Sequence, residues 1–103
     1  MANHEKFLQA IQEKKIISMK KHTEEKGIIE RKCIPYDYAV GRRFKDNIKR
    51  YWTWHLETKH PSPAKSEDII DIEILDEHFD PADYITWNPP YDWEIQRDWG
   101  IYS

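Results

Sequence analysis

Cysteine is nearly absent from this 103-residue sequence, glycine is scarce, and no apolar run approaches the length of a membrane span. The single cysteine, Cys33, excludes an internal disulfide and with it the small disulfide-stapled scaffolds. A transmembrane helix needs about 20 mostly apolar residues, so none is predicted. The first residues also lack the basic and apolar stretches of a signal peptide. These absences predict a cytoplasmic protein without a membrane partner.

Aromatic residues are abundant by contrast: the chain holds 5 Trp and 6 Tyr, and 14% of it is aromatic. Each ring can bury about 150–250 Å², so a small core built on rings is feasible. The length predicts a single domain over residues 1–103. Within it we predict an N-terminal helix over 1–15, a barrel over 16–81 and an aromatic C-terminal extension over 82–103.

Helix and strand signals follow one another along the chain. Asn3 is a favourable N-cap, and Phe7, Leu8 and Ile11 form the apolar stripe of an amphipathic helix. β-branched residues and alternating polarity take over afterwards and indicate strands. The predicted elements are a helix over 4–14, a hairpin turn over 22–27, and strands that start at 16 and cover 28–34, 49–57 and 69–75.

Proline residues interrupt this pattern. Pro35 is predicted to end the second strand, and Pro61 and Pro63 to break regular structure, because proline cannot donate a ladder hydrogen bond. Asp80 before Pro81 predicts a short helical turn. One helix with four or five short strands predicts a mainly β fold, a small antiparallel barrel. Its predicted inward-facing residues are Ile17, Met19, Ile29, Trp52, Trp54, Ile70, Ile72 and Ile74.

A family resemblance extends over roughly residues 7–81. Its features are Phe7-Leu8-Gln9-Ala10-Ile11, Ile16-Ile17-Ser18-Met19, Arg31-Lys32-Cys33-Ile34-Pro35, Tyr51-Trp52, Ile69-Ile70-Asp71-Ile72 and Phe79-Asp80-Pro81. In this order they resemble the WYL domain of bacterial regulators. The resemblance implies an SH3-like barrel that senses a small or nucleic-acid ligand. The Trp-Tyr-Leu tripeptide that names the family is absent, and Ser66-Glu67-Asp68 replaces its late basic residue.

Basic and aromatic residues cluster over residues 42–54. Guanidinium groups suit phosphate, and exposed rings stack on bases. Arg31 lies on the same strand face as Ile29 and Cys33, so it either pairs with a carboxylate or points into a pocket. The predicted ligand-binding residues are Arg31, Arg42, Arg43, Lys45, Lys49, Arg50, Tyr51 and Trp52.

The alternative for this cluster is structural. A strand buries one of its two faces, so Trp52 and Trp54 would face the core while the basic residues solvate a loop. Residues 1–60 hold 14 Lys and Arg against 8 Asp and Glu, and residues 61–103 hold 2 against 11. The net charge is −3, whereas dedicated nucleic-acid domains are usually basic overall.

Metal, cofactor and catalytic sites are not predicted. The five histidines lack the close spacing of zinc ligands, and the acidic residues lack the glycine and spacing of a calcium loop. Cys33 beside Ile34 resembles a small buried hydrophobe rather than a nucleophile. We therefore predict a non-enzymatic protein.

Two functions are compatible with these features. The first is a binding module for a small anionic ligand or a single-stranded nucleic-acid segment. The second is a structural or protein-interaction domain that forms a homodimer, with the basic cluster as a solvated loop. Convergence of that cluster with Arg31 on one concavity would favour binding, and dispersal around a loop would favour interaction.

The C-terminal extension is aromatic and acidic. A free tail with so many rings would expose a large apolar area, which natural domains usually cover. The only cation in 85–103 is Arg97, against three carboxylates. We predict that this tail docks on the basic first half with at least two tryptophan rings against the barrel. The alternative is docking on a second copy of the chain.

Overall fold

A computed structural model describes residues 2–41, 44–86 and 91–103. The elements are α1 (Ala2–Glu13), β1 (Lys15–Thr23), β2 (Gly27–Ala39), β3 (Arg50–His55), β4 (Pro61–Ala64) and β5 (Ile69–His78), with single 3-10 turns at Ser66–Asp68, Pro81–Asp83 and Gly100–Tyr102. The predicted class, mainly β with an N-terminal helix, is confirmed. In this part of the chain no helix is long and apolar enough to cross a membrane.

The five strands form one antiparallel sheet in the order β4-β3-β2-β1-β5. The first hairpin turns where Gly27 adopts a positive φ of 68°, a conformation that glycine accepts without strain. β4 and β5 lie at the two edges, and no ladder joins them among the described residues. The pairing therefore shows an antiparallel sheet, and closure into a barrel is not part of it.

The helix begins at Ala2, and Asn3 is not its cap. The Asn3 side chain lies against the outer edge of β5, where its Oδ1 accepts from Ile72 N at 3.2 Å and its Nδ2 donates to Ile70 O at 3.4 Å. An edge strand has unpaired backbone groups, and a side-chain amide matches one donor and one acceptor. Asn3 thus joins α1 to the sheet edge.

The predicted inward residues of β1 and β5 are mostly correct. Ile17, Met19 and Ile72 are buried, whereas Ile70 is 41% exposed. The ladder between β1 and β5 shifts register there, since Lys20 pairs with Asp71 and Lys21 with Ile69. A bulge leaves one residue unpaired and reverses the alternation beyond it. The prediction for Ile70 is wrong for this reason.

Prolines do not end strands where the sequence predicted. β2 continues through Pro35, which pairs with Thr53. The ladder between β2 and β1 extends only to Cys33, so no N–H donor is needed from Pro35 on that side. The register between β2 and β3 shifts just after Pro35. Pro61 and Pro63 lie in β4, at the edge of the sheet, where proline is tolerated because one side needs no partner.

Both faces of β3 are covered. Tyr51 and Thr53 are buried, and Tyr51 meets the Phe7 ring of α1 with centroids 4.9 Å apart. Trp52 and Trp54, predicted to face the core, are half-buried on the opposite face. Trp54 lines a small apolar space together with Trp99 of the tail. The expectation of one buried and one solvated face is therefore wrong for β3.

The tail packs on its own chain. Trp99 is 3% exposed, and its Nε1 donates to Ile11 O at 2.9 Å. The Trp93 ring lies 6.0 Å from that of Tyr36 in β2. Two tail tryptophans thus pack against the body, as predicted, while Trp87 lies outside the described residues.

The charged contact between the tail and the body has the opposite polarity to the one predicted, an acidic tail on a basic first half. Asp37 of β2 accepts from the backbone N–H groups of Glu94 and Ile95 at 3.1–3.2 Å, and Arg97 Nη2 lies 3.4 Å from it. The Arg97 guanidinium lies 4.2 Å and 4.4 Å from the ring centroids of Trp93 and Trp99. The tail supplies the cation, and the first half supplies the carboxylate.

Candidate anion-binding site

The predicted basic-aromatic cluster is partly used inside the fold. Arg50 is 5% exposed, and its guanidinium donates to both Asp46 oxygens at 2.8 Å and 3.2 Å while lying 3.8 Å from the centre of the Phe44 ring. The Arg50 hydrogen bonds lower the pKa of Asp46 to about 2. The Arg50 charge is therefore matched within its own loop.

The aromatic members of the cluster also have internal partners. Tyr51 is buried, with its hydroxyl 2.7 Å from His4 Nδ1. Trp52 donates from Nε1 to Ala39 O at 3.0 Å. These contacts tie α1, β2 and β3 together, and the burial of Tyr51 leaves its ring little surface for stacking on a ligand.

The remaining members do not converge with Arg31. Lys45 and Lys49 are exposed, and Lys49 Nζ lies 5.7 Å from the centre of the Tyr38 ring. Arg42 and Arg43 lie outside the described residues. Arg31 lies eight residues before Ala39, the partner of Arg50, which is about 26 Å along a strand. The predicted cluster is therefore divided between two ends of the sheet.

A different set of polar side chains shares one sheet face at the Arg31 end. Alternation along β1 puts Lys21 on the face of Ile17 and Met19, and alternation along β3 puts His55 on the face of Thr53. In β4, Ser62 pairs with Thr53. We call Lys21, Arg31, His55 and Ser62 the polar quartet.

The strand register brings the three basic side chains of the polar quartet close together. Lys21 pairs with Ile29 and Arg31 pairs with Met19, which makes Lys21 and Arg31 diagonal neighbours. His55 pairs with Cys33 and is diagonal to Arg31 in the same way. Diagonal positions on one face lie about 7–8 Å apart. The three side chains thus form a continuous row across β1, β2 and β3.

The face that carries the polar quartet is concave. Lys21 Nζ lies 3.1 Å from Ser62 Oγ, although β2 and β3 separate their strands. Three strand spacings measure about 14 Å in a flat sheet, so the sheet curls towards this face. Lys21 is 8% exposed on this concave face.

Two open cavities border the polar quartet. The larger, about 380 Å³, is lined by Lys21, His55 and Ser62 together with the hairpin turn that contains Lys26. The second, about 270 Å³, is lined by Arg31 and His55 with residues of the turn after β3. His55 lies between the two cavities. The carboxylates among the other lining residues are Glu24 and Glu25 of the hairpin turn, Glu30 of β2 and Glu57 after β3.

Burial and mutual repulsion govern the charges of the polar quartet. Burial lowers the pKa of Lys21, and Arg31 lowers it further, while Cys33 and Asp68 act in the opposite direction. Burial also lowers the pKa of His55, with Lys21 and Arg31 adding to the effect and Glu57 opposing it. Burial and the neighbouring cations therefore disfavour the charged forms of Lys21 and His55.

Carboxylates of the described residues do not form ion pairs with Lys21 or Arg31. Among the described residues neither Lys21 nor Arg31 forms a salt bridge, and Arg31 Nη1 donates to the backbone carbonyl of Glu30 at 3.1 Å. The sequence offered Arg31 either a carboxylate or a pocket, and the structure places it at a pocket. The site has the chemistry to hold a carboxylate or a phosphate.

Other chemistry at this face is limited. Cys33 is buried, and burial raises the pKa of its thiol to about 11, which suppresses the nucleophilic thiolate. Over residues 2–41, 44–86 and 91–103 there is no group of three His, Cys, Asp or Glu side chains able to hold a metal ion.

Sequence reasoning missed Lys21, His55 and Ser62 as site residues. The signal for Lys21 was its phase, since it shares the alternation of Ile17 and Met19 and must lie on their buried face. Ser62 carried no signal, because its strand was predicted as a break. In comparisons with known proteins, no family model, no curated protein and no solved structure matches this chain.

Proposed function

We propose that this domain is a non-enzymatic binding module that holds a small anionic ligand on the concave face, between Lys21, Arg31 and His55. The observation that carries the proposal is the row of Lys21, Arg31 and His55 on one sheet face, where Lys21 is buried and neither Lys21 nor Arg31 forms a salt bridge among the described residues. Buried charges are normally paired, and an unpaired one is costly. A bound carboxylate or phosphate would supply the missing charge. The unpaired Cys33 supports a cytoplasmic setting for this function.

The surroundings favour a small ligand over a nucleic-acid strand. Single-stranded nucleic acid binds along a basic groove with exposed rings for its bases. Among the described residues, the cavities beside the polar quartet have no aromatic lining apart from His55, and Tyr51 is enclosed by His4 and Phe7. The cavity volumes, about 270 Å³ and 380 Å³, suit a metabolite-sized anion.

The test is a titration with inorganic phosphate, with citrate as a multivalent carboxylate, followed by NMR and calorimetry. Arg31→Met should weaken binding about tenfold to a hundredfold, because a hydrogen bond to a charged group contributes about 1.5–3 kcal/mol. Lys20→Met is the matched control: it removes one charge from an exposed position that lines neither cavity.

The control should change binding less than twofold after allowance for net charge. Equal losses in both variants would mean only general attraction to a positive surface, and no binding of either anion at low salt would reject the proposal.

A further inference from the structure

The environment of Lys21 differs from that of an ordinary surface lysine. Its neighbour Lys20 is exposed and pairs across the sheet with the acidic Glu30 and Asp71. Lys21 instead lines the larger cavity, is 8% exposed, and has its amine 3.1 Å from the Ser62 hydroxyl. A hydroxyl group can hydrogen-bond to the amine in its neutral form and in its charged form. A neighbouring carboxylate would instead favour the charged ammonium form.

We propose that Lys21 condenses with a carbonyl group of its ligand to form a reversible imine, and that the ligand is a short oxo acid whose carboxylate lies against Arg31 or His55. This inference rests on the anion site proposed above. Lys21 and Arg31 are diagonal neighbours about 7–8 Å apart at the backbone. One short ligand can therefore contact both side chains.

The protein environment favours the neutral amine that such chemistry requires. Lysines that form imines in proteins are typically desolvated or placed near another cation. Burial and the neighbouring Arg31 both lower the pKa of Lys21, against the opposing effects of Cys33 and Asp68. The other charged groups lining the same cavity are Glu24, Glu25, Lys26 and His55.

The condensation balances without an oxidant or a reductant. The Lys21 nitrogen lone pair attacks the carbonyl carbon, a C–N bond forms, and the C=O π pair becomes a hydroxyl after a proton moves from nitrogen to oxygen. That hydroxyl then leaves as water with a second proton from nitrogen, and the C=N bond forms. The Ser62 hydroxyl, already beside the amine, can pass the proton between nitrogen and the departing oxygen.

The experiment traps the imine on the full chain with pyruvate as the probe. Pyruvate and borohydride are added near neutral pH, and peptide mass spectrometry locates any reduced adduct among the 11 lysines. Lys21 should carry the first and largest adduct. Lys21→Met should lose it while circular dichroism shows a retained fold, and Lys20→Met should keep it. Ser62→Ala should slow adduct formation at Lys21.

Lactate, which has the carboxylate but no carbonyl, separates this inference from the anion site. If lactate and pyruvate bind equally well in an Arg31-dependent manner and no adduct forms at Lys21, the imine is wrong and the anion site stands. An adduct spread evenly over the exposed lysines would also overturn the imine. If neither acid binds and phosphate does not bind, both proposals are wrong.

Discussion

Two arginines in this molecule lie in contrasting surroundings. The side chain of Arg97 in the tail is fully buried, yet it has Asp37 at 3.4 Å and two tryptophan rings over its guanidinium. Arg31 lies on the concave face beside Lys21, with only a backbone carbonyl as its hydrogen-bond acceptor among the described residues. The first arrangement holds a piece of the chain in place. The second leaves the Arg31 charge without a carboxylate partner among the described residues.

The comparison shows why the density of cations in a sequence is a poor guide to a binding site. The densest basic segment contains Arg50, which is neutralised by Asp46 four residues before it. Lys21 and Arg31 are ten residues apart in sequence and become neighbours only through the hairpin. What distinguishes a candidate site is a cation whose charge the fold does not match.

The largest expected effect comes from removing the partner of Arg97. Asp37→Ala would leave a buried guanidinium without its carboxylate and the N–H groups of Glu94 and Ile95 without their acceptor. Breaking one partner of a buried ion pair typically costs about 3–5 kcal/mol. We expect a loss of that size in the free energy of unfolding, measured by urea denaturation.

The exposed pair of Lys32 and Glu77 provides the control for this loss. Both side chains are more than half exposed, so Glu77→Ala should cost about 0–1 kcal/mol. Similar losses in Asp37→Ala and Glu77→Ala would contradict a tail clamped by Asp37. A loss of self-association in Asp37→Ala would instead indicate that the tail docks on a second chain.

The next effect in size concerns the apolar core on the sheet face that carries the polar quartet. Ile72 is fully buried and pairs with Met19, so Ile72→Ala should lower the free energy of unfolding by about 2–5 kcal/mol. Ile70, two residues earlier in the same strand, is 41% exposed, and its truncation should change stability by about 0.5 kcal/mol or less. Thermal and urea unfolding of both variants tests the bulge, since equal losses would place both side chains inward.

Sequence reasoning was most successful where one rule acted alone. Alternation correctly placed Ile17, Met19 and Ile72, and Asp80 before Pro81 correctly predicted the 3-10 turn, where Asp80 Oδ1 accepts from Ala82 N at 3.0 Å. It failed at Ile70, because a bulge is set by the pairing of two distant strands and leaves no local pattern.

The candidate site needed the strand register, which the sequence did not contain. Arg31 was correctly expected at a pocket or a carboxylate from the apolar face of its strand. The other quartet residues come from β1, β3 and β4, and their proximity depends on how those strands pair and curl. The charge of the tail misled for a related reason: the sum over many carboxylates was acidic, but one residue, Arg97, makes the buried contact.

The smallest and most local effect concerns the protonation of His55. Burial, Lys21 and Arg31 hold its pKa below the ordinary value of 6.5. The unfolded chain therefore binds the proton more readily, so the stabilising contribution of neutral His55 is complete above about pH 6.5 and is lost as the pH falls through the folded pKa. The pKa of His55 should rise in Arg31→Met and in Lys21→Met, because each variant removes a neighbouring cation, and it should stay the same in Lys20→Met.

Saturating phosphate should also raise the pKa of His55 in the unmodified protein, since an anion on the concave face favours imidazolium. The measurement is an NMR titration of the His55 ring protons. If the His55 pKa changes neither in Arg31→Met nor with phosphate, His55 is not part of the proposed site, and burial is the only cause of its lowered pKa.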